Sequence, residues 1–185
     1  MASDLTGITI RAAVLGDAAA LAELGRRTFI GKFGHIYSKA DLHAYLDEAH
    51  TQAVYADMIE SPDFLVRVAA LPDETLSAYL VCSPLELPAK EAAEGSVELM
   101  RVYVDQPLQG RGLGSHFIEE AIDWAKISQA PELYLSVFSE NDRARALYER
   151  FGFVTEGRLR RFVFVDGEYR DAFIMARLLE EGAAP

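Results

Sequence analysis

The chain has 185 residues, the length of a single domain, with half of them hydrophobic and a quarter charged, the balance of a soluble globular protein and not of a disordered or membrane one. A formal charge of −11 argues against nucleic acid as a partner, because phosphate contacts need clustered Lys and Arg, while it is compatible with cationic substrates. Met1 to Gly7 lacks the basic and apolar regions of a secretory signal, and no apolar run approaches the ~18 residues of a membrane span, so a cytoplasmic protein with no membrane partner is expected.

In chain order, Ile8-Thr9-Ile10 alternates as a strand, and Gly16-Asp17 opens an Ala- and Leu-rich helix that runs to about Phe29. Ser38 with Asp41 three residues on resembles a capping box and predicts a second helix, and a third covers Gln52 to Ile59. Ser61-Pro62-Asp63 breaks the pattern. Phe64 to Ala69 and Leu76 to Val81 then read as an antiparallel strand pair around Pro72-Asp73. Cys82, the only cysteine, extends the second of these runs and is expected as a small buried hydrophobe; one cysteine permits no internal disulfide. His35, His43, His50 and His116 show no metal-ligand spacing, so no metal is expected. Pro84 to Gly95 is polar and reads as the least ordered internal stretch.

The second half alternates strand (Val97 to Val104), helix (Gly112 to about Ser128), strand (Leu133 to Phe138), helix (Arg143 to Phe151) and two closing strands around Asp166-Gly167. In the first of these helices Leu113, Phe117, Ala121 and Trp124 form one apolar stripe, and Trp124 is expected in the core. The chain is therefore a mixed α/β domain.

Between strand and helix lies Gln109-Gly110-Arg111-Gly112-Leu113-Gly114. A strand end, a glycine loop and a helix N-terminus make an anion site, because unpaired N–H groups and the helix dipole both favour negative charge. Arg111 adds a cation. The spacing fits neither the Walker loop nor the dinucleotide fingerprint.

It does resemble the acetyl-CoA loop of the GNAT acetyltransferases, which reads Gln or Arg, any two, Gly, any one, Gly or Ala; Gln109, Gly112 and Gly114 match. Downstream, Asn141-Asp142-Arg143-Ala144-Arg145-Ala146-Leu147-Tyr148-Glu149-Arg150-Phe151-Gly152-Phe153 is similar to that family's second motif of Asn, a helix with Tyr, and a closing Gly-Phe. The clearest similarity spans residues 97–153 of a single domain 1–185. The resemblance implies a GNAT-type acyl-CoA N-acyltransferase fold. Its central twisted sheet of about six to seven strands would be mostly antiparallel, with the fourth and fifth strands splayed, flanked by about four to five helices.

It also implies an N-acetyltransferase that uses acetyl-CoA as cosubstrate and a primary amine as acceptor. Cofactor contacts would fall to the backbone of Val102, Tyr103 and Val104, to Gln109 through Gly114 (with Gly110, Arg111, Gly112 and Leu113), to Ser115, and to Asn141 and Tyr148. Tyr148 would be the general acid for the departing thiolate, and Glu98 the base, directly or through water. A carboxylate in the strand before the Asn motif, frequent in members that acetylate protein N-termini, is replaced here by Ser136.

For the acceptor, Phe29 to Tyr37 supplies aromatics, with Phe33 and Tyr37 as substrate contacts, and Asp41, Asp47 and Glu48 supply negative charge. The stretch is similar to the PaiA-type polyamine acetyltransferases, which makes a small amine or polyamine the leading acceptor. A peptide or protein amine comes second, and a non-catalytic acetyl-CoA sensor is the alternative of a different class. A monomer or a homodimer fits equally.

Overall fold

The computed structural model describes residues 5–165 and 168–179, and the turn expected at Asp166-Gly167 lies outside them. The elements are β1 (Thr9–Ala12), α1 (Ala18–Phe33), α2 (Lys39–Ala49), α3 (Gln52–Glu60), β2 (Leu65–Ala70), β3 (Leu76–Pro84), β4 (Val97–Val104), α4 (Leu113–Ile127), β5 (Glu132–Phe138), α5 (Asp142–Arg150), β6 (Val154–Val165) and β7 (Glu168–Leu178). The strands form one sheet in the order β1-β2-β3-β4-β5-β7-β6. β1–β2, β5–β7 and β6–β7 pair antiparallel, whereas β4 and β5 run parallel and are in register only at Val97–Leu133 and Glu98–Tyr134. That short parallel register is the splayed pair expected from the sequence. No helix among the described residues is long and apolar enough to cross a membrane.

The chain groups into two compact units, Met1–Val81 with Arg101–Phe117, and Cys82–Met100 with Ile118–Pro185. In the first, β1 lies against β2 from Thr9–Ala70 to Ala12–Arg67. Asp17 fixes the turn into α1: it takes a 2.6 Å ion pair from Arg11 and a 2.8 Å hydrogen bond from the Val14 N–H. Ser38 and Thr51 accept the Asp41 and Val54 N–H groups and so cap α2 and α3. α1 packs on α3 with Leu21, Leu24 and Phe29 buried. Gly25 in α1 is a close approach: a Cβ there would run into His50 Nδ1 and Tyr55 Oη. β3 is buried along nearly its whole length, which is why it reads as a continuous apolar run, and Cys82 within it is fully buried.

In the second unit β5 pairs with β7 over seven positions, and β6 joins β7 with register breaks between Thr155 and Gly157 and between Leu159 and Val163. Two expectations need correction. Trp124 is half-buried, because the buried face of α4 runs through Leu113, Phe117, Ile118, Ala121, Ile122 and Ala125 and leaves Trp124 at its margin. The segment after β3 is also well tethered: Leu85, Leu87, Ala89 and Ala92 pack on Tyr134, Ile174 and Ala176, and two carboxylates hold its backbone.

Candidate active site

In the first unit the end of β4 is pinned before the glycine loop begins. Asp105 donates its N–H to the Ser77 carbonyl (2.8 Å), and its carboxylate pairs with Arg27 of α1 at 2.9 Å. Its other oxygen accepts the Gln106 N–H, so Asp105 starts a short 3-10 turn over Gln106–Leu108. The Gln109 side chain folds back and donates to the Val104 carbonyl at 3.1 Å. Gly110 (φ +87°) and Gly112 (φ +99°) both occupy the left-handed region, where a side chain is strained, which accounts for glycine at these two positions. Arg111 donates to the Thr6 carbonyl at 3.1 Å.

The His116 N–H is bonded to the Gly112 carbonyl, so the preceding N–H groups of α4, those of Leu113, Gly114 and Ser115, have no intrahelical acceptor. Three such donors at a positive helix end, beside two glycines that leave space, fit a pyrophosphate. On β4 itself Tyr103 is half-buried and stacks on Tyr79 at 5.6 Å.

In the second unit Asn141 precedes α5 with a non-helical ψ of 62°, receives the Arg145 N–H on its carbonyl and donates its own N–H to Phe138. It therefore marks the strand-to-helix corner. The closing Gly-Phe has a clear mechanical purpose. Gly152 (φ +80°) ends the helix in the left-handed region, and Phe153, 2% exposed, bonds its N–H to the Tyr148 carbonyl and meets the Tyr148 ring edge-on at 5.9 Å. Tyr148 is half-buried, and burial pushes its hydroxyl up to about 12, so it holds its proton throughout the physiological range.

Glu98 lies 6% exposed on β4, and one of its oxygens accepts the N–H groups of both Glu86 and Leu87 at 3.0 Å. Burial raises its proton affinity, against the opposing pull of those two donors. It is thus a loop anchor as well as a base candidate. A residue that the sequence did not single out, Glu132, does the same for the other end of the loop, accepting from the Ala93 N–H, the Ser96 hydroxyl and the Tyr134 hydroxyl at 2.9 to 3.1 Å.

The expected acceptor residues form an aromatic cluster in the first unit. Phe29 contacts Phe33 (4.9 Å), Tyr37 (5.5 Å) and Tyr45 (4.4 Å, stacked). Below them His50 Nδ1 lies 2.9 Å from Tyr55 Oη, which is 3.0 Å from Tyr79 Oη. Burial, reinforced by Arg101 and Arg26, drops the imidazole to about 3, so His50 is neutral. The Arg101 guanidinium stands over the Tyr55 ring at 5.3 Å. Of the carboxylates expected to attract a polyamine, Asp41 is hydrogen-bonded to its capping Ser38 at 2.7 Å, and Asp47 pairs with Arg26 at 3.0 Å.

Comparison with known proteins places these features. Residues 30–153 match the Acetyltransferase (GNAT) family. The chain is 32% identical to the N-alpha-acetyltransferase RimI of Mycobacterium tuberculosis over 178 residues, 96% of each chain. It is 39% identical to the spermine/spermidine N(1)-acetyltransferase of Bacillus subtilis, but over 66 residues, 35% of this chain and 43% of that one. Its fold is shared with the PaiA N-acetyltransferase of Thermoplasma acidophilum, solved with coenzyme A (TM-score 0.72, 22% identity, 92% and 98% of the chains). With the glycine loop and the Asn-to-Phe motif both inside the matched region, the chain belongs to the GNAT family and is an N-acetyltransferase.

Proposed function

We propose that the whole chain is a single cytoplasmic acetyltransferase domain that moves the acetyl group of acetyl-CoA onto a primary amine, with a small amine as leading acceptor. The observation that carries this is the loop between β4 and α4. Its two left-handed glycines bring the free N–H groups of Leu113, Gly114 and Ser115 to a point where a pyrophosphate can accept from them. Gln109 and Arg111 shape that loop, and Asn141 sets the corner before α5.

Bound acetyl-CoA supplies the thioester. The backbone of Val102, Tyr103 and Val104 would orient it and offer an N–H to the developing oxyanion. Tyr148, its hydroxyl near 12, is a weaker acid than a thiol of about 8.5, so it would assist the departing sulfur chiefly by donating a hydrogen bond. Glu98 would take the amine proton, helped by the raised proton affinity that burial gives it.

For the acceptor, the engagement of Asp41 by its capping Ser38 and of Asp47 by Arg26 of α1 removes two of the three carboxylates that favoured a polyamine. Phe33 and Tyr37 remain as contacts for an apolar or aromatic part of a small amine. A second reading, the α-amine of a peptide, is favoured by the near full-length similarity to an N-alpha-acetyltransferase.

Thiol release from acetyl-CoA, measured with polyamines, amino acids and peptide N-termini, tests the assignment; acetyl-CoA binding without turnover on any amine would replace it with a sensor. Tyr148→Phe is expected to lower turnover roughly tenfold or more with little change in acetyl-CoA affinity. Gly112→Val, strained at a positive φ, is expected to weaken acetyl-CoA binding roughly tenfold by calorimetry.

A further inference from the structure

Arg101 is a charge without a counter-charge. A guanidinium stays protonated at any physiological pH, and taking it out of water is costly unless a partner restores the lost hydration. Yet among the described residues no Asp or Glu pairs with it, in a chain carrying 29 acidic residues, and its Nη1 is buried with no acceptor. The titratable groups around it are the hydroxyls of Tyr55, with which it hydrogen-bonds, Tyr79 and Tyr45. Burial raises all three, so they are neutral, and His50 is neutral as well. The cluster therefore carries a net positive charge on one planar donor fork. Tyr55 and Tyr79 beneath it are fully buried, whereas Tyr45 and Arg101 itself reach the surface in part. Arg101 also directly precedes Val102 to Val104 on β4.

We propose that Arg101, framed by Tyr45, Tyr55 and Tyr79, is the subsite for a carboxylate carried by the acceptor, so that the amine acetylated belongs to a small amino-acid-like molecule and not to a polycation. A carboxylate accepts two parallel hydrogen bonds from the guanidinium fork and supplies the missing negative charge. The partly exposed Tyr45, held in place by stacking on the buried Phe29, would flank the remainder of the molecule. This assignment rests on the amine-acetylating reading for its choice of ligand.

The test uses the full chain and three measurements. In thiol-release assays, free amino acids are compared with their amides and with spermidine. The wild type is expected to favour the acids roughly tenfold or more in kcat/KM, and Arg101→Gln to erase that preference mainly through KM. In calorimetry without acetyl-CoA, N-acetyl derivatives of alanine, methionine and phenylalanine are titrated beside their amides. The acids are expected to bind the wild type and not Arg101→Gln, with Arg101→Lys in between. In thermal melts, Arg101→Met is expected to raise Tm, since it removes an uncompensated charge; a purely structural arginine would lower it.

Equal turnover of acids and amides, preference for spermidine, binding of neither probe, or a lowered Tm for Arg101→Met would each overturn the subsite. If the acids bind in an Arg101-dependent way but no amine is acetylated, the subsite stands and the acetyl-transfer reading falls instead.

Discussion

Glu98 and Arg101 are three residues apart on β4, so by the alternation of a strand they project to opposite sides, and they meet opposite fates. Glu98 is buried with two backbone N–H groups on one oxygen. Arg101 is surrounded by neutral rings and has a buried nitrogen with no acceptor. A buried charge whose partners are supplied by the fold is part of the scaffold. One that meets only the neutral hydroxyl and ring of Tyr55, with no counter-charge, marks the place where something else brings it. Glu98 thus has an anchoring task whatever its part in proton transfer, whereas among the described residues the fold supplies no counter-charge for Arg101.

The contrast can be broken most directly by truncation. Glu98→Ala strands the Glu86 and Leu87 N–H groups, and the expected loss is about 3 kcal/mol in urea unfolding, opposite in sign to Arg101→Met. Two variants that destabilise alike would end the distinction.

A smaller effect tests the neutrality of the aromatic cluster. His50 has its folded pKa at about 3, below its unfolded value near 6.5, so its stabilisation is complete above 6.5 and is lost as pH falls from there toward 3. The slope attributable to it is at most about 1.4 kcal/mol per pH unit. His50→Phe should flatten that slope in urea titrations between pH 7 and 4, and an unchanged slope would mean His50 carries charge in the folded state.

The smallest stability effect is expected from Glu98→Gln, whose amide oxygen can still accept both loop N–H groups, within about 1 kcal/mol of the wild type. Its catalytic effect separates anchor from base. A rate loss confined to the pH range where the amine is protonated supports proton removal by Glu98, whereas wild-type rates would leave it only the anchoring role.

What could be read from the sequence was local. Three glycines in six residues mark a loop, and β-branched runs beside a periodic α4 place it between a strand and a helix. The features that escaped are those settled by distant partners. Pro84 to Gly95 looked free because its anchors, Glu98 and Glu132, lie outside it and read as ordinary strand glutamates. Asp47 looked available for a cation because nothing in its spacing reveals that Arg26, twenty-one residues away, occupies it, whereas the capping-box spacing already tied Asp41 to Ser38. Arg101 gave no signal at all, since the absence of a counter-ion is a property of three dimensions. Trp124 was misplaced by about one position on the helical wheel, which is the resolution of a periodicity argument.

Gly25 lies outside both motifs, on a helix interior where glycine is ordinarily the poorer choice. Its missing side chain makes room for His50 and Tyr55, and Tyr55 is the ring on which Arg101 rests. In a saturation-mutagenesis map of this chain, position 25 should therefore be as intolerant as the phosphate-loop glycines. Even alanine, the best helix former, would push on the histidine–tyrosine pair, and the disturbance would be felt at the guanidinium before it was felt in helix content.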